Sequence, residues 1–168
     1  MTAPRVNQQS ADHHSVQVTL PSDRDILIVR DFAAPRDLVF EAWTEAEHLA
    51  QWWDPTGARL ASCDVDLRPN GTFRFISSGG HPPFVGTYRE IVRPERLVFS
   101  TVVSPSGAES LGTVLFEERE GGTTLRLTIA CASKADRDAL LQMRVDVGTL
   151  QTLENLSEYV VRMSAGAR

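Results

Sequence analysis

The sequence lacks several features that define whole classes of protein. It has no run of about 18 apolar residues that could cross a membrane, and residues 1–20 contain no apolar signal-peptide core. Cysteine is rare, since Cys63 and Cys131 are the only two and match neither a metal spacing nor a CxxC motif. Positive charge is not in excess, because 17 Lys and Arg stand against 22 Asp and Glu, for a net charge of −5. We therefore expect a cytoplasmic protein with two reduced, buried cysteines, no membrane insertion and no nucleic-acid partner.

Motifs for common cofactors and catalytic machinery are also missing. The sequence contains no GxGxxG or P-loop, no GxSxG elbow, no HExxH and no clustered metal ligands. The pairs Gly79-Gly80 and Gly121-Gly122 lie between predicted strands and precede no helix, so they indicate turns and not phosphate-binding loops. The sequence therefore predicts no cofactor and no metal site, and it assigns no catalytic residues.

The 168 residues, of which 42% are hydrophobic and 23% charged, suit a single globular domain. Residues 1–20 predict a mobile tail, although Val16, Val18 and Leu20 alternate with polar residues and would suit the extension of a strand. The domain itself is predicted over residues 21–168.

The first part of the domain predicts a strand followed by two short helices. The β-branched segment 24–32 favours a strand, and a short helix is predicted over 35–43 after it. Thr44 and Glu47 have the spacing of a capping box, which predicts a second helix that ends before Asp54.

From residue 57 to about 130, short segments of alternating apolar and polar residues are separated by turn sequences. This pattern predicts six strands in an antiparallel meander. The last strand is the clearest, because it places Leu125, Leu127 and Ile129 on one face. The strand predicted over 97–103 is apolar on both faces, so the sequence does not fix which of its side chains face inward.

A long final helix is predicted from Lys134 to about Met163, with Ser133 and Asp136 capping its start. Its apolar residues recur every three or four positions and predict one continuous stripe, which needs a partner surface of equal length. The meander supplies that surface if it curls around the helix. Gly148 interrupts the stripe at a cost of about 1 kcal/mol relative to Ala, which indicates a bend or an open space over the sheet.

The order of several motifs carries a family likeness over about residues 26–161. These motifs are FAAPRDLVFEAWT at 32–44, EHL at 47–49, WW at 52–53, DLRPNG at 66–71, GTYREI at 86–91, PERLVF at 94–99 and the final helix from 133 to 159. The chain resembles the SRPBCC (START-like) superfamily, and within it the bacterial branch named after the activator of heat-shock protein 90 ATPase.

The resemblance implies an α+β helix-grip fold. In that fold a seven-stranded antiparallel sheet curls around a long C-terminal helix, two short helices follow the first strand, and a hydrophobic cavity lies between sheet and helix. Two residues depart from the family pattern, since Asp54 and Asn70 stand where members usually carry glycine. Asn70 preserves its turn because asparagine tolerates the left-handed conformation, whereas Asp54 would place a charge at the rim of the cavity.

Candidate cavity residues come from the tryptophan pair, the strands and the final helix. They are Trp52, Trp53, Phe73, Phe75, Phe84, Tyr88, Phe99, Met143, Val147 and Leu150. For each of them the alternative is a plain core position. The candidate polar groups are His81, Glu90 and Asp64, of which His81 would titrate near neutral pH at a cavity mouth. Asp64 shares a strand face with Asp66, and both are in water if the apolar face is inside.

The leading functional hypothesis is the binding of a small hydrophobic, lipid- or polyketide-like molecule in the cavity. Two alternatives implied by the resemblance stay open. One is a cochaperone that activates heat-shock protein 90 ATPase and has the chaperone as its partner. The other is a polyketide cyclase- or dehydratase-like enzyme, which needs a titratable group inside the cavity. An exposed apolar strand edge would also allow a homodimer.

Overall fold

The computed structural model describes residues 16–103 and 105–166. In this part of the chain eight antiparallel strands form one sheet in the order β1-β2-β8-β7-β6-β5-β4-β3. The strands are β1 (Gln17–Thr19), β2 (Asp25–Phe32), β3 (Ser62–Val65), β4 (Thr72–Ile76), β5 (Phe84–Val92), β6 (Arg96–Val103), β7 (Ala108–Arg119) and β8 (Gly122–Ala130). The helices are α1 (Arg36–Thr44), α2 (Ala46–Trp52), α3 (Lys134–Gln142) and α4 (Val145–Gly166).

The predicted helix-grip fold is confirmed, with one more strand than expected. The six strands of the predicted meander are β3 to β8, and the segment 24–32 forms β2. The sheet has eight strands rather than seven because Gln17–Thr19 pairs with β2. Residues 1–15 of the predicted tail lie outside the described residues.

The capping box predicted for α2 is wrong. The Thr44 hydroxyl donates to the Phe40 carbonyl oxygen at 2.8 Å, so it is used within α1. The residue before α2 is Glu45, and its side chain makes no capping hydrogen bond. Thr44 is buried at the end of α1, and its hydroxyl bonds back to the carbonyl one turn earlier in its own helix.

The prediction of one helix from Lys134 to Met163 is also wrong, because α3 and α4 are separate. Arg144 has a φ of 60°, a left-handed conformation that a continuous α-helix of L-residues does not contain. The break turns Met143 outward and leaves it 61% exposed. The predicted cap at Ser133 is confirmed, since its Oγ accepts a hydrogen bond from the Asp136 N–H at 3.1 Å.

Helix α4 packs against α1, α2 and β2 and buries Leu153, Leu156 and Val160 completely. A charged residue lies beneath it. Arg30 follows Ile28 on the inner face of β2 and is only 2% exposed. Its Nη2 lies 2.8 Å from Oε2 of Glu154 on α4, whose side chain is half exposed. This ion pair ties the helix to the sheet.

Two phenylalanines of the sheet each lie over a glycine of the neighbouring strand. Phe73 on β4 is paired with Gly86 on β5, and Phe99 on β6 is paired with Gly112 on β7. A Cβ atom added to either glycine would overlap the facing ring. The absence of a side chain at these two positions therefore lets the aromatic core lie directly on the strand backbone.

Candidate functional site

A cavity of about 400 Å³ lies between the start of α4 and the strands β4 and β5. Its walls come from the segment after α2, from β4, from the β4–β5 loop with the start of β5, and from the α3–α4 junction. The lining residues are Trp53, Asp54, Pro55, Leu60, Phe75, Ser77, His81, Pro82, Phe84, Arg144, Val147 and Gly148. Most of these side chains are apolar, and the volume suits a small organic molecule.

Three aromatic rings form one wall of the cavity. Trp53 directly follows α2, and its ring centroid lies 5.0 Å from that of Phe75 and 5.3 Å from that of Phe84. The interplanar angles are 65° and 33°, within the range of edge and tilted contacts that aromatic side chains favour. Because each ring is held by the others, the wall presents a fixed apolar surface.

Behind this wall lies a much smaller void of about 10 Å³. Phe73, Tyr88 and Phe99 line it, and the three rings of the wall separate it from the cavity. Burial raises the pKa of the Tyr88 phenol, so this group stays neutral at physiological pH. The void has room for about one water molecule and belongs to the core.

The Asp54 carboxylate is fully buried in the cavity wall and is held by three hydrogen bonds. The Ser77 hydroxyl donates to Oδ2 at 2.6 Å. The backbone N–H and the hydroxyl of Thr56 donate to Oδ1 at 3.0 and 2.8 Å. The Gly79 N–H donates in turn to Ser77 Oγ at 3.1 Å. Asp54 therefore joins the segment after α2 to the β4–β5 loop.

The Asp54 carboxyl is ionised at neutral pH. Burial alone raises the pKa of this carboxyl, but the hydrogen bonds from Ser77 and Thr56 and the nearby His81 outweigh it. As a result the pKa lies below the ordinary value of 3.8. Asp54 is therefore a fixed negative charge already engaged with protein donors, and not a group that exchanges protons with a ligand.

Helix α4 is positioned against the same segment through Asn155. The Asn155 amide donates to the carbonyl oxygen of Asp54 at 2.9 Å and to that of Trp52 at 3.3 Å. These carbonyls lie at and just beyond the end of α2, where the helix itself offers no donors. The two walls that carry Trp53 and the start of α4 are thus held at a fixed separation.

The structure distributes the candidate cavity residues over three places. Trp53, Phe75, Phe84 and Val147 line the cavity, whereas Phe73, Tyr88 and Phe99 line the small void. Trp52, Met143 and Leu150 line neither. Trp52 is buried and its indole N–H donates to the Ala42 carbonyl oxygen at 2.9 Å. Met143 faces outward at the helix break, and Leu150 packs against the core.

The candidate polar residues are also separated. His81 lines the cavity, on the loop that carries Ser77. Glu90 forms an ion pair with Arg96 at the surface. Asp64 is exposed on the edge strand β3, where it accepts a hydrogen bond from the Ser62 hydroxyl at 3.5 Å. Neither Glu90 nor Asp64 lines the cavity.

Several lining residues were not among the candidates. Leu60 lies in an irregular segment between α2 and β3, where no periodicity indicates a face. Arg144 lies at a helix break that the continuous apolar stripe conceals. The open space indicated at Gly148 is present, since a Cβ atom there would meet no atom within 4 Å. In the sequence, the interruption of the apolar stripe at Gly148 is thus the signal that indicates this part of the cavity wall.

Metal ligands, thiols and long apolar helices can be checked over the described ranges 16–103 and 105–166. Within them no three His, Cys, Asp or Glu side chains are grouped to hold a metal ion. Burial raises the pKa of the free Cys63 thiol to about 11 and also raises that of Cys131, so neither is a reactive thiolate. No helix there is long and apolar enough to span a membrane.

A sheet that curls around a C-terminal helix, with an apolar cavity between them, defines the helix-grip class. Residues 33–161 match the family described as "Activator of Hsp90 ATPase homolog 1-like protein". The chain belongs to this family, which is part of the SRPBCC superfamily.

Solved bacterial structures share the fold. A protein from Rhodobacter sphaeroides is 23% identical with a TM-score of 0.77, over 90% of this chain and 99% of its own. One from Nitrosomonas europaea is 22% identical with a TM-score of 0.75, over 86% and 99% of the two chains. One from Rhizobium leguminosarum is 29% identical with a TM-score of 0.63, over 89% and 98%. Comparison with curated proteins gave no significant match.

Proposed function

We propose that this protein binds a small apolar, lipid- or polyketide-like molecule in the cavity between α4 and the sheet. The cavity itself supports the proposal, because about 400 Å³ of space adjoins a wall of three packed aromatic rings. Transfer of apolar ligand surface from water to such a wall is favourable by about 25 cal/mol per Å². The volume also lies in the usual range for small-molecule sites.

The polar residues of the cavity fit a binding role. Asp54 and Ser77 are hydrogen-bonded to each other, so neither side chain needs a ligand as its hydrogen-bond partner. His81 and Arg144 are exposed at the cavity and can contact a polar group of the ligand. A mostly apolar site with a few polar groups is the usual composition for binding and orienting a small molecule.

Native mass spectrometry of the freshly purified chain tests the proposal, and we expect an adduct of a few hundred daltons that denaturation releases. Titration with N-phenyl-1-naphthylamine, a neutral fluorescent probe, is expected to give saturable binding at one site. Trp53→Ala should weaken that binding by about tenfold, equal to about 1.4 kcal/mol, because it removes one of the three rings that form the aromatic wall.

The matched control is Val102→Ala, which also truncates an apolar residue but at an exposed position on β6. Its probe affinity is expected to equal that of the wild type. Circular dichroism on both variants checks that they are folded. A wild-type chain with neither an adduct nor saturable probe binding would refute the proposal.

A second candidate function is acid–base catalysis of the cyclase or dehydratase type on the bound molecule. The observation that favours it is the position of His81, a titratable side chain in the cavity wall close to the Asp54 carboxylate. If His81 is catalytic, His81→Ala should retain probe binding and should co-purify with the unreacted substrate. Incubation of that recovered molecule with the wild type should convert it to a product lacking one water. Identical adducts before and after incubation with the wild type would contradict it.

The description of the family names an activator of Hsp90 ATPase. Activation of a chaperone requires contact through an outer surface of the molecule. The cavity instead supports the binding of a small molecule, and we therefore give that function precedence for this chain.

A further inference from the structure

Gly148 lies in the first turn of α4 and forms part of the cavity wall. Its backbone is helical, so the position does not require the conformational freedom of glycine. A Cβ atom built there would meet no atom within 4 Å apart from the helix itself. Neither backbone conformation nor packing in the described structure accounts for a glycine at this position.

The glycines of the neighbouring sheet differ in this respect. A Cβ atom at Gly86 would overlap the Phe73 ring, and one at Gly112 would overlap the Phe99 ring. In those two places close packing explains the missing side chain. At Gly148 the corresponding space is empty and opens into the cavity.

Glycine also weakens a helix relative to alanine. A residue that lowers stability, and whose presence neither packing nor backbone conformation explains, is expected at a functional site. The wall across the cavity consists of the rings of Trp53, Phe75 and Phe84. On the helix side of the cavity, Arg144 and Val147 contribute side chains and Gly148 contributes only backbone. The gap that Gly148 leaves beside these side chains borders the same cavity as the aromatic rings and forms a slot suited to a flat apolar group.

We propose that Gly148 is a specificity-determining residue of the cavity and that its missing side chain leaves the space for a planar, apolar ring of the ligand. This inference rests on the proposed function, because it assigns the space beside Gly148 to the bound molecule. A side chain at this position would occupy the slot and exclude ligands according to its size.

The test measures melting temperature and affinity for N-phenyl-1-naphthylamine in Gly148→Ala and Gly148→Leu. Gly148→Ala should melt about 1–4 °C above the wild type, because alanine stabilises the helix and its methyl group enters open space. Gly148→Leu should remain folded and bind the probe at least about tenfold more weakly. The control is Gln151→Leu, which adds the same side chain at an exposed position of α4 and should leave affinity unchanged.

The outcomes separate the two proposals. If the wild type binds the probe and Gly148→Leu binds it with equal affinity, the proposed role of Gly148 is overturned and the proposed function stands. If Gly148→Leu does not fold, Gly148→Ala decides, because higher stability with unchanged affinity overturns the role as well. A wild type that binds neither probe nor adduct overturns both. Equal losses in Gly148→Leu and Gln151→Leu also overturn the role of Gly148.

Discussion

Gly86→Ala is expected to lower the free energy of unfolding by about 2–3 kcal/mol, through overpacking of the core. A Cβ atom at this position would lie 2.5 Å from the Ser100 backbone oxygen and closer still to the Phe73 ring. Neither group can move freely, because Ser100 of β6 is paired with Thr87 of β5 and Phe73 packs against other aromatic rings. Urea denaturation followed by circular dichroism measures the change.

Gly148→Ala provides the matched control, since the same methyl group there enters open space and should not destabilise the chain. The double variant Phe73→Leu/Gly86→Ala adds a second test. Leucine at position 73 removes the overlap with the ring but not the overlap with the Ser100 oxygen. Gly86→Ala should therefore cost less stability in the Phe73→Leu background than in the wild type, but its cost should not vanish. Equal stability of Gly86→Ala and the wild type would show that the strands separate at little cost.

Much of the fold follows from patterns local in sequence. The period-two alternation of β8 and the serine cap at Ser133 are both realised where the sequence predicts them. The break before α4 is not predictable in this way, because apolar residues keep helical spacing across it. The left-handed residue is Arg144, an amino acid that gives no turn signal of its own.

The candidate site is only partly predictable, because it depends on contacts between distant residues. Aromatic residues on short strands predict an apolar wall, and Phe75 and Phe84 do form one. The burial of Asp54 depends on Ser77, which lies 23 residues away, and its carbonyl is bound by Asn155, 101 residues away. No local pattern contains such pairings. Arg30 is a similar case, since its guanidinium is buried in an apolar strand face and is paired with Glu154 on α4, far away in sequence.

Asp54→Ala is expected to lower the free energy of unfolding by about 2–3 kcal/mol, because the donors of Ser77 and Thr56 lose their acceptor inside the cavity wall. Asp54→Asn should cost less, since the amide oxygen still accepts from Thr56 while its amino group faces the Ser77 hydroxyl. The control is Asp64→Asn, which alters an exposed carboxylate on an edge strand and should change little. Urea denaturation at neutral pH gives the three values.

The contribution of the Asp54 charge depends on pH in a definite direction. Its pKa is lower in the folded chain than the ordinary 3.8, so the folded state binds this proton less readily than the unfolded state. The contribution is therefore complete well above that ordinary value and is lost as the pH falls through the lowered pKa. The stability difference between wild type and Asp54→Asn should stay constant from about pH 7 to about pH 5 and shrink below about pH 4. A difference that persists unchanged to about pH 2 would mean that Asp54 stabilises the wall by its shape and not by its charge.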